Sequence, residues 1–160
     1  MKILQTCSPS LIAPQKLLVP ERLDIAVKWK FFRHLLEGSD PDSERIYRWH
    51  IEKRTGGREP RSAWKHSIED YVTVCKTLLE SMLKVGFNPD FPVEYGQNER
   101  LRSGAHRLAC SLLLGLDVYY VNVPITVNMT WGEDWFVRHG IAAEDLRHIK
   151  ATWKWLKQAA

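Results

Sequence analysis

The chain has 160 residues, 44% of them hydrophobic and 26% charged, with a formal net charge of +4. This is the size and composition of one globular domain with a core of its own, and no apolar run reaches the roughly 20 residues that a membrane span needs. The opening MKILQTCSPSLIAPQKLLVP lacks the continuous apolar core of a secretory signal, so a cytoplasmic protein without a membrane partner is expected.

The mildly basic balance suits anionic ligands: phosphates, nucleotides or nucleic acid. Its basic residues are scattered, which does not select nucleic acid among them. Cys7, Cys75 and Cys110 leave one thiol unpaired in any disulfide scheme and form no CxxC pair. They read as small buried hydrophobes, and no zinc spacing is present.

In chain order, KLLV (16–19) before Pro20 reads as a short first strand, about 16–20. ERLDIAVKWKFFRHLLEG (21–38) has apolar residues at three- and four-residue spacing and a glycine stop. SDPDSE is a polar turn, RIYRWHIEKR (45–54) fits helix or strand, and TGGREPRS (55–62) is a loop. HSIEDYVTVCKTLLESMLKVG (66–86) reads as a long helix, with Ser67 and Asp70 as a capping box and Gly86 as its end. FPVEY (91–95), GQN and ERLR (99–102) read as strand, tight turn and strand. A helix over 103–116, the strand DVYYVNVPI (117–125), the aromatic TWGEDWF and a final amphipathic helix, about 142–158, complete the chain. Trp131, Trp135 and Phe136 are expected to dock on the core, because large aromatics mostly bury area.

The stretch RSGAHRLACSLLLGLDVYYV (102–121) carries the chemistry. On a helix, Ala105, Leu108, Ala109, Leu112, Leu113 and Leu116 fall within about 140° of arc, a core-facing stripe. Ser103 is placed to cap the start, and Gly104 lets another group approach the backbone. His106 and Arg107 stand in the first turn, where the helix dipole disfavours cations. Two basic-capable groups at that end make sense if an anion is held there, on free backbone N–H groups.

GFNPDFPVEYGQNERLRSGAHRLACSLLLGLDVYYVNV (86–123) resembles the core of the ParB/sulfiredoxin superfamily, in the order helix, hairpin, Gly-x-His-Arg helix start, glycine, strand. The resemblance covers about 66–125, and KLLVPERL would supply the family's first strand. It implies an α/β fold with a mixed sheet in one domain, an inserted helical segment at about 38–65 and a carboxy-terminal helix. It further implies that Ser103, Gly104, Ala105, His106 and Arg107 bind nucleotide phosphates, with Lys76, Thr77 and Ser81 of the preceding helix as further contacts.

Departures from the family narrow the chemistry. Ala105 stands where sulfiredoxins carry their reactive cysteine, which removes sulfinyl-phosphate resolution. The superfamily's free-serine kinases carry a glutamate after the first strand as base; Glu21 holds that position, with Asp24 behind it. Only 35 residues follow residue 125, too few for the DNA-reading and dimerisation parts of a partition protein.

The expected function is a nucleotide-dependent phosphotransferase acting on a small hydroxylated metabolite, such as an amino acid or sugar. ATP or another nucleotide and Mg2+ would be its cofactors, with Glu21 and His106 catalytic. Arg48, His50 and Arg54 of the inserted segment are candidate substrate contacts, and no metal-ligating protein residues are assigned. The competing readings are a non-catalytic nucleotide-gated switch and a nucleic-acid-associated protein or nuclease.

Overall fold

The structure is a computed structural model that describes residues 8–60 and 62–159. The elements are β1 (Ser10–Ile12), α1 (Asp24–Glu37), α2 (Pro41–Thr55), α3 (Ile68–Val85), β2 (Val93–Tyr95), β3 (Leu101–Ser103), α4 (Ala105–Leu114), β4 (Val118–Asn122), α5 (Glu133–Arg138) and α6 (Ala143–Gln158). The fold is mixed α/β, as expected from the sequence.

The sheet has the order β1-β4-β2-β3. The β2–β3 hairpin is antiparallel, β2 and β4 run parallel, and β1 joins the outer side of β4 antiparallel. The crossover between the two parallel strands passes through β3 and α4, so the start of α4 lies at the end of a strand.

One expected element falls elsewhere. Residues 16–20 form no strand; Pro14–Leu17 is a 3-10 turn and the first strand is Ser10–Ile12. Pro14 presets the helical φ at the start of the turn, and the apolar KLLV run buries Leu17 and Leu18 in the core without joining the sheet. The segment expected to be helical at about 38–65 is a helix over Pro41–Thr55, which settles 45–54: α2 starts after Asp40 and stops at Gly56 in the left-handed conformation. Ser67 caps α3 by accepting from the Asp70 amide, and Asp70 in turn accepts from the His66 amide. Cys75 and Cys110 are free and buried, as expected of structural thiols, whereas Cys7 lies outside the described residues.

Helix α1 runs through the centre, against α4, α2, α6 and α3. Ile25, Ala26, Val27, Phe31 and Phe32 are all but fully buried on it, and each large apolar side chain contributes about 1.5–3 kcal/mol by leaving water. The same helix also buries Asp24 and Lys28 completely. An isolated charge in such surroundings would cost several kcal/mol, so this helix builds more than a core.

Phe136 docks into the core, and Trp135 packs at its edge against Trp49, His50 and Phe136. No helix among the described residues is long and apolar enough to cross a membrane.

Candidate functional site

The start of α4 is built from β3 and one glycine. Ser103 ends β3 and is exposed; it does not cap the helix as the sequence suggested. Gly104 is the N-cap, with φ +100°, and no side chain among the described residues caps the helix. Its carbonyl accepts the first intrahelical bond, from Leu108 at 2.9 Å. The amides of Ala105, His106 and Arg107 therefore have no carbonyl within the helix to donate to. A Cβ on Gly104 would stand 3.1 Å from the Val93 side chain and 3.2 Å from Val93 Cα, so both the dihedral and the space call for glycine here.

The two basic-capable residues of the first turn do different work from that expected. The His106 ring turns inward, with Nε2 2.9 Å from the Tyr47 hydroxyl, which lies 3.2 Å from Cys75 Sγ. Burial, reinforced by the nearby Lys28, Lys65 and Arg54, holds His106 well below its ordinary pKa. The imidazole is neutral and brings no charge to the turn. Arg107 folds back along β2 and donates from Nη2 to the Pro92 carbonyl at 3.2 Å; its Nε is buried with no partner among the described residues.

Behind the turn lies a cluster of ionisable groups in which the structure joins Asp24, His50 and Arg54, which the sequence singles out, to Arg22, Lys28 and Lys65, which it does not. Arg22 donates Nε and Nη2 to the two oxygens of Asp24, at 2.7 and 2.8 Å, and Nη1 to the Leu101 carbonyl at 3.1 Å. Lys28 Nζ lies 2.5 Å from Asp24 Oδ2. Burial alone would raise the Asp24 pKa, but Arg22 and Lys28 outweigh it and hold the carboxyl well below its ordinary value. Burial pushes Lys28 down to about 8 against the pull of Asp24.

His50 and Arg54 share the inner face of α2, one turn apart. His50 is fully buried, and neither ring nitrogen has a partner among the described residues. Burial and then Lys28 keep its pKa well below 6.5. The Arg54 guanidinium lies 5.3 Å from the Trp131 ring, which Arg22 approaches from 4.7 Å. Trp131 is fixed there by backbone bonds to the 21–23 turn, its amide to the Glu21 carbonyl and its carbonyl from the Leu23 amide. Lys65 reaches in from the loop after α2, over the Tyr71 ring at 5.0 Å. Four cationic side chains (Arg22, Lys28, Arg54, Lys65) thus gather about two carboxylates, Asp24 and Glu59, and two neutral histidines. Such a surplus of positive charge in a partly desolvated site suits an anion.

Other expected residues stand apart. Arg48 points outward between Glu44 and Glu69. Lys76, Thr77 and Ser81 are exposed on α3, off the face that carries Tyr71 and Cys75 inward. Glu21 has Arg100 as its nearest ion partner, at 3.9 Å. It lines a groove of about 1250 Å³ between the 20–23 turn, α5 and α6, with Leu23, Trp135 and Trp153 among the walls. Trp135 links the two regions, since its ring also meets His50 at 5.1 Å.

Of the carboxylates near the turn, Asp24 is held on both oxygens by Arg22 and Lys28, and Glu59 is engaged through Oε2 by Arg54 and Tyr71. Among the described residues no three His, Cys, Asp or Glu side chains are grouped to hold a metal. No protein-family model, curated protein or solved structure matches the chain.

Proposed function

We propose that the chain binds a nucleotide through its phosphates at the Gly104–Arg107 turn and passes the terminal phosphoryl group to a small hydroxylated metabolite. The observation that carries the reading is the pairing of an uncapped helix start, opened by a left-handed glycine, with a buried surplus of cations on its inner side. Backbone N–H groups and the helix dipole favour phosphate. Lys28, Lys65 and Arg54 supply the charge that His106 does not. The likeness of the Gly-x-His-Arg start to the ParB/sulfiredoxin superfamily supports the nucleotide as the phosphate's carrier.

The acceptor is assigned to the groove that Glu21 lines, beside Trp135. Glu21 would take the proton from the acceptor hydroxyl while its oxygen bonds to the terminal phosphorus; the bridging P–O bond breaks and its electron pair leaves with the nucleotide. Asp24 is unsuited to that step, because Arg22 and Lys28 already hold both oxygens.

A specific observation favours a second reading, a nucleotide-gated switch without turnover: the carboxylate assigned as base, Glu21, has Arg100, not the turn, as its charged neighbour. Calorimetric titration with ATP, ADP, CTP and GTP, followed by a transfer assay over amino acids and sugars, separates the two. Binding with transfer that Glu21→Gln abolishes supports the phosphotransferase. Binding without transfer supports the switch, and binding of none of the four nucleotides removes both.

A further inference from the structure

The loop between α2 and α3 carries one inward-facing acid. Glu59 accepts a hydrogen bond from the Tyr71 hydroxyl, its carboxylate lies 3.5 Å from Arg54 Nη2, and its amide bonds the Lys65 carbonyl at 2.9 Å. Arg54 and Tyr71 therefore converge on a single carboxylate, and the Lys65 ammonium stands beside them, over the Tyr71 ring at 5.0 Å. The Arg54 side chain is only 15% exposed, and its Nε has no partner among the described residues. A guanidinium, a phenol and an ammonium around one anionic group form a donor set that serves a phosphoryl oxygen as well as a carboxylate.

This set adjoins the α4 turn. Tyr71 lies one helical turn before Cys75 on α3, Cys75 Sγ is 3.2 Å from the Tyr47 hydroxyl, and that hydroxyl is 2.9 Å from His106 Nε2. The loop itself leaves α2 through two consecutive left-handed glycines, Gly56 (φ +68°) and Gly57 (φ +86°). Its first turn is tied to the helix by the Gly56 amide, which bonds the Glu52 carbonyl at 2.7 Å, and by Thr55, whose hydroxyl donates to the Ile51 carbonyl and accepts from the Gly57 amide.

We propose that Arg54, Lys65 and Tyr71 form a second phosphate subsite, for the phosphoryl group beyond the first of a nucleoside di- or triphosphate, and that Glu59 occupies it as a built-in competing anion. The inference rests on the reading of the Gly104–Arg107 turn as the first phosphate seat. A ligand with one phosphate needs only the turn. A ligand with two or more displaces Glu59, so the three donors favour di- and triphosphates over monophosphates, and Glu59 sets how tightly the longer ligands bind.

The test compares calorimetric binding of AMP, ADP and inorganic pyrophosphate by the full chain, by Glu59→Gln and by Arg54→Gln, with thermal unfolding midpoints as a check on folding. Removing the competing charge frees the subsite, so Glu59→Gln should bind ADP and pyrophosphate at least about threefold more tightly, with AMP unchanged. Arg54→Gln should lose the preference for ADP over AMP. Glu59→Asp, which keeps the charge on a shorter arm, should fall between wild type and Glu59→Gln and serves if the latter unfolds. Unchanged or weaker ADP binding by Glu59→Gln overturns the competition by Glu59 while leaving the turn as a phosphate seat. Binding of none of the three ligands by wild type and variants alike overturns the seat, and the subsite with it.

Discussion

The Tyr47 hydroxyl and His106 Nε2 lie 2.9 Å apart, joining helix α2 to the second residue of α4. Through this contact α2 braces the turn that the sequence singles out. Tyr47 also stacks on Phe31 of α1, ring centroids 4.3 Å apart, and its hydroxyl meets Cys75 of α3, so one side chain ties four helices together.

Replacing Tyr47 by Phe keeps the stacking and removes the hydroxyl from both His106 and Cys75. A buried polar atom that loses its partner costs about 1–3 kcal/mol. Urea denaturation of Tyr47→Phe should show a loss in that range, with the m-value unchanged. A loss below about 0.5 kcal/mol would mean that the contact does not brace the turn.

The buried Arg22–Asp24–Lys28 group should behave unlike the ion pairs of the surface. Asp24→Asn leaves two cations facing an amide in the core, and breaking a buried pair this way costs about 3–5 kcal/mol. Arg33→Ala, which breaks the exposed pair with Glu37, should change stability by less than about 1 kcal/mol. Similar losses for the two variants in chemical denaturation would contradict the charge distribution described.

Acid should weaken the fold before most carboxylates titrate. His50 faces Lys28, Asp24, Arg54 and Arg22, and His106 faces Lys28, Lys65, Arg54 and Asp24; both stay neutral with pKa values well below 6.5 in the folded chain. Below pH 6.5 the unfolded chain takes up protons that the folded chain refuses, so stability falls as pH falls. Each such histidine contributes up to about 1.4 kcal/mol per pH unit. Denaturation midpoints should drop between pH 7 and pH 5.5, and His50→Gln should flatten the drop. A flat profile down to pH 5 would show that the rings are protonated in the fold.

Gly104→Ala places a Cβ against Val93 at a φ of +100°, a conformation that costs a non-glycine residue about 1–3 kcal/mol. Stability should fall by that amount. If the fold relaxes around the new side chain, the amides of the first turn shift, and nucleotide affinity should fall at least about tenfold with it. A variant that keeps wild-type affinity would remove the turn from the account.

The frame of the fold is legible in the sequence because its punctuation is local. Gly38, Gly86 and Gly115 end their helices where the periodicity stops, and Ser67 caps α3 through Asp70. The first strand is misplaced because an apolar KLLV run looks alike in a strand and in a buried 3-10 turn. At the candidate site, Gly104 and the orientation of α4 follow from the motif, but the inward turn of His106 does not, since it depends on Tyr47, 59 residues earlier. Lys28 gives only a weak local signal: Asp24 one turn earlier offers it a partner, but a lysine beside Val27 and Trp29 still reads as a side chain reaching for solvent, and its burial follows from the packing around α1. Arg22, Arg54, Lys65 and Trp131 are brought together by tertiary packing, and no spacing in the sequence encodes that.

The most direct test of the central claim follows backbone amide resonances of 15N-labelled protein as ADP is added. The largest shifts are expected at Ala105, His106 and Arg107, saturating with a single dissociation constant and lost in Gly104→Ala. Shifts confined to the groove, for instance at the Trp153 indole, with the three α4 amides unmoved, would contradict the claim.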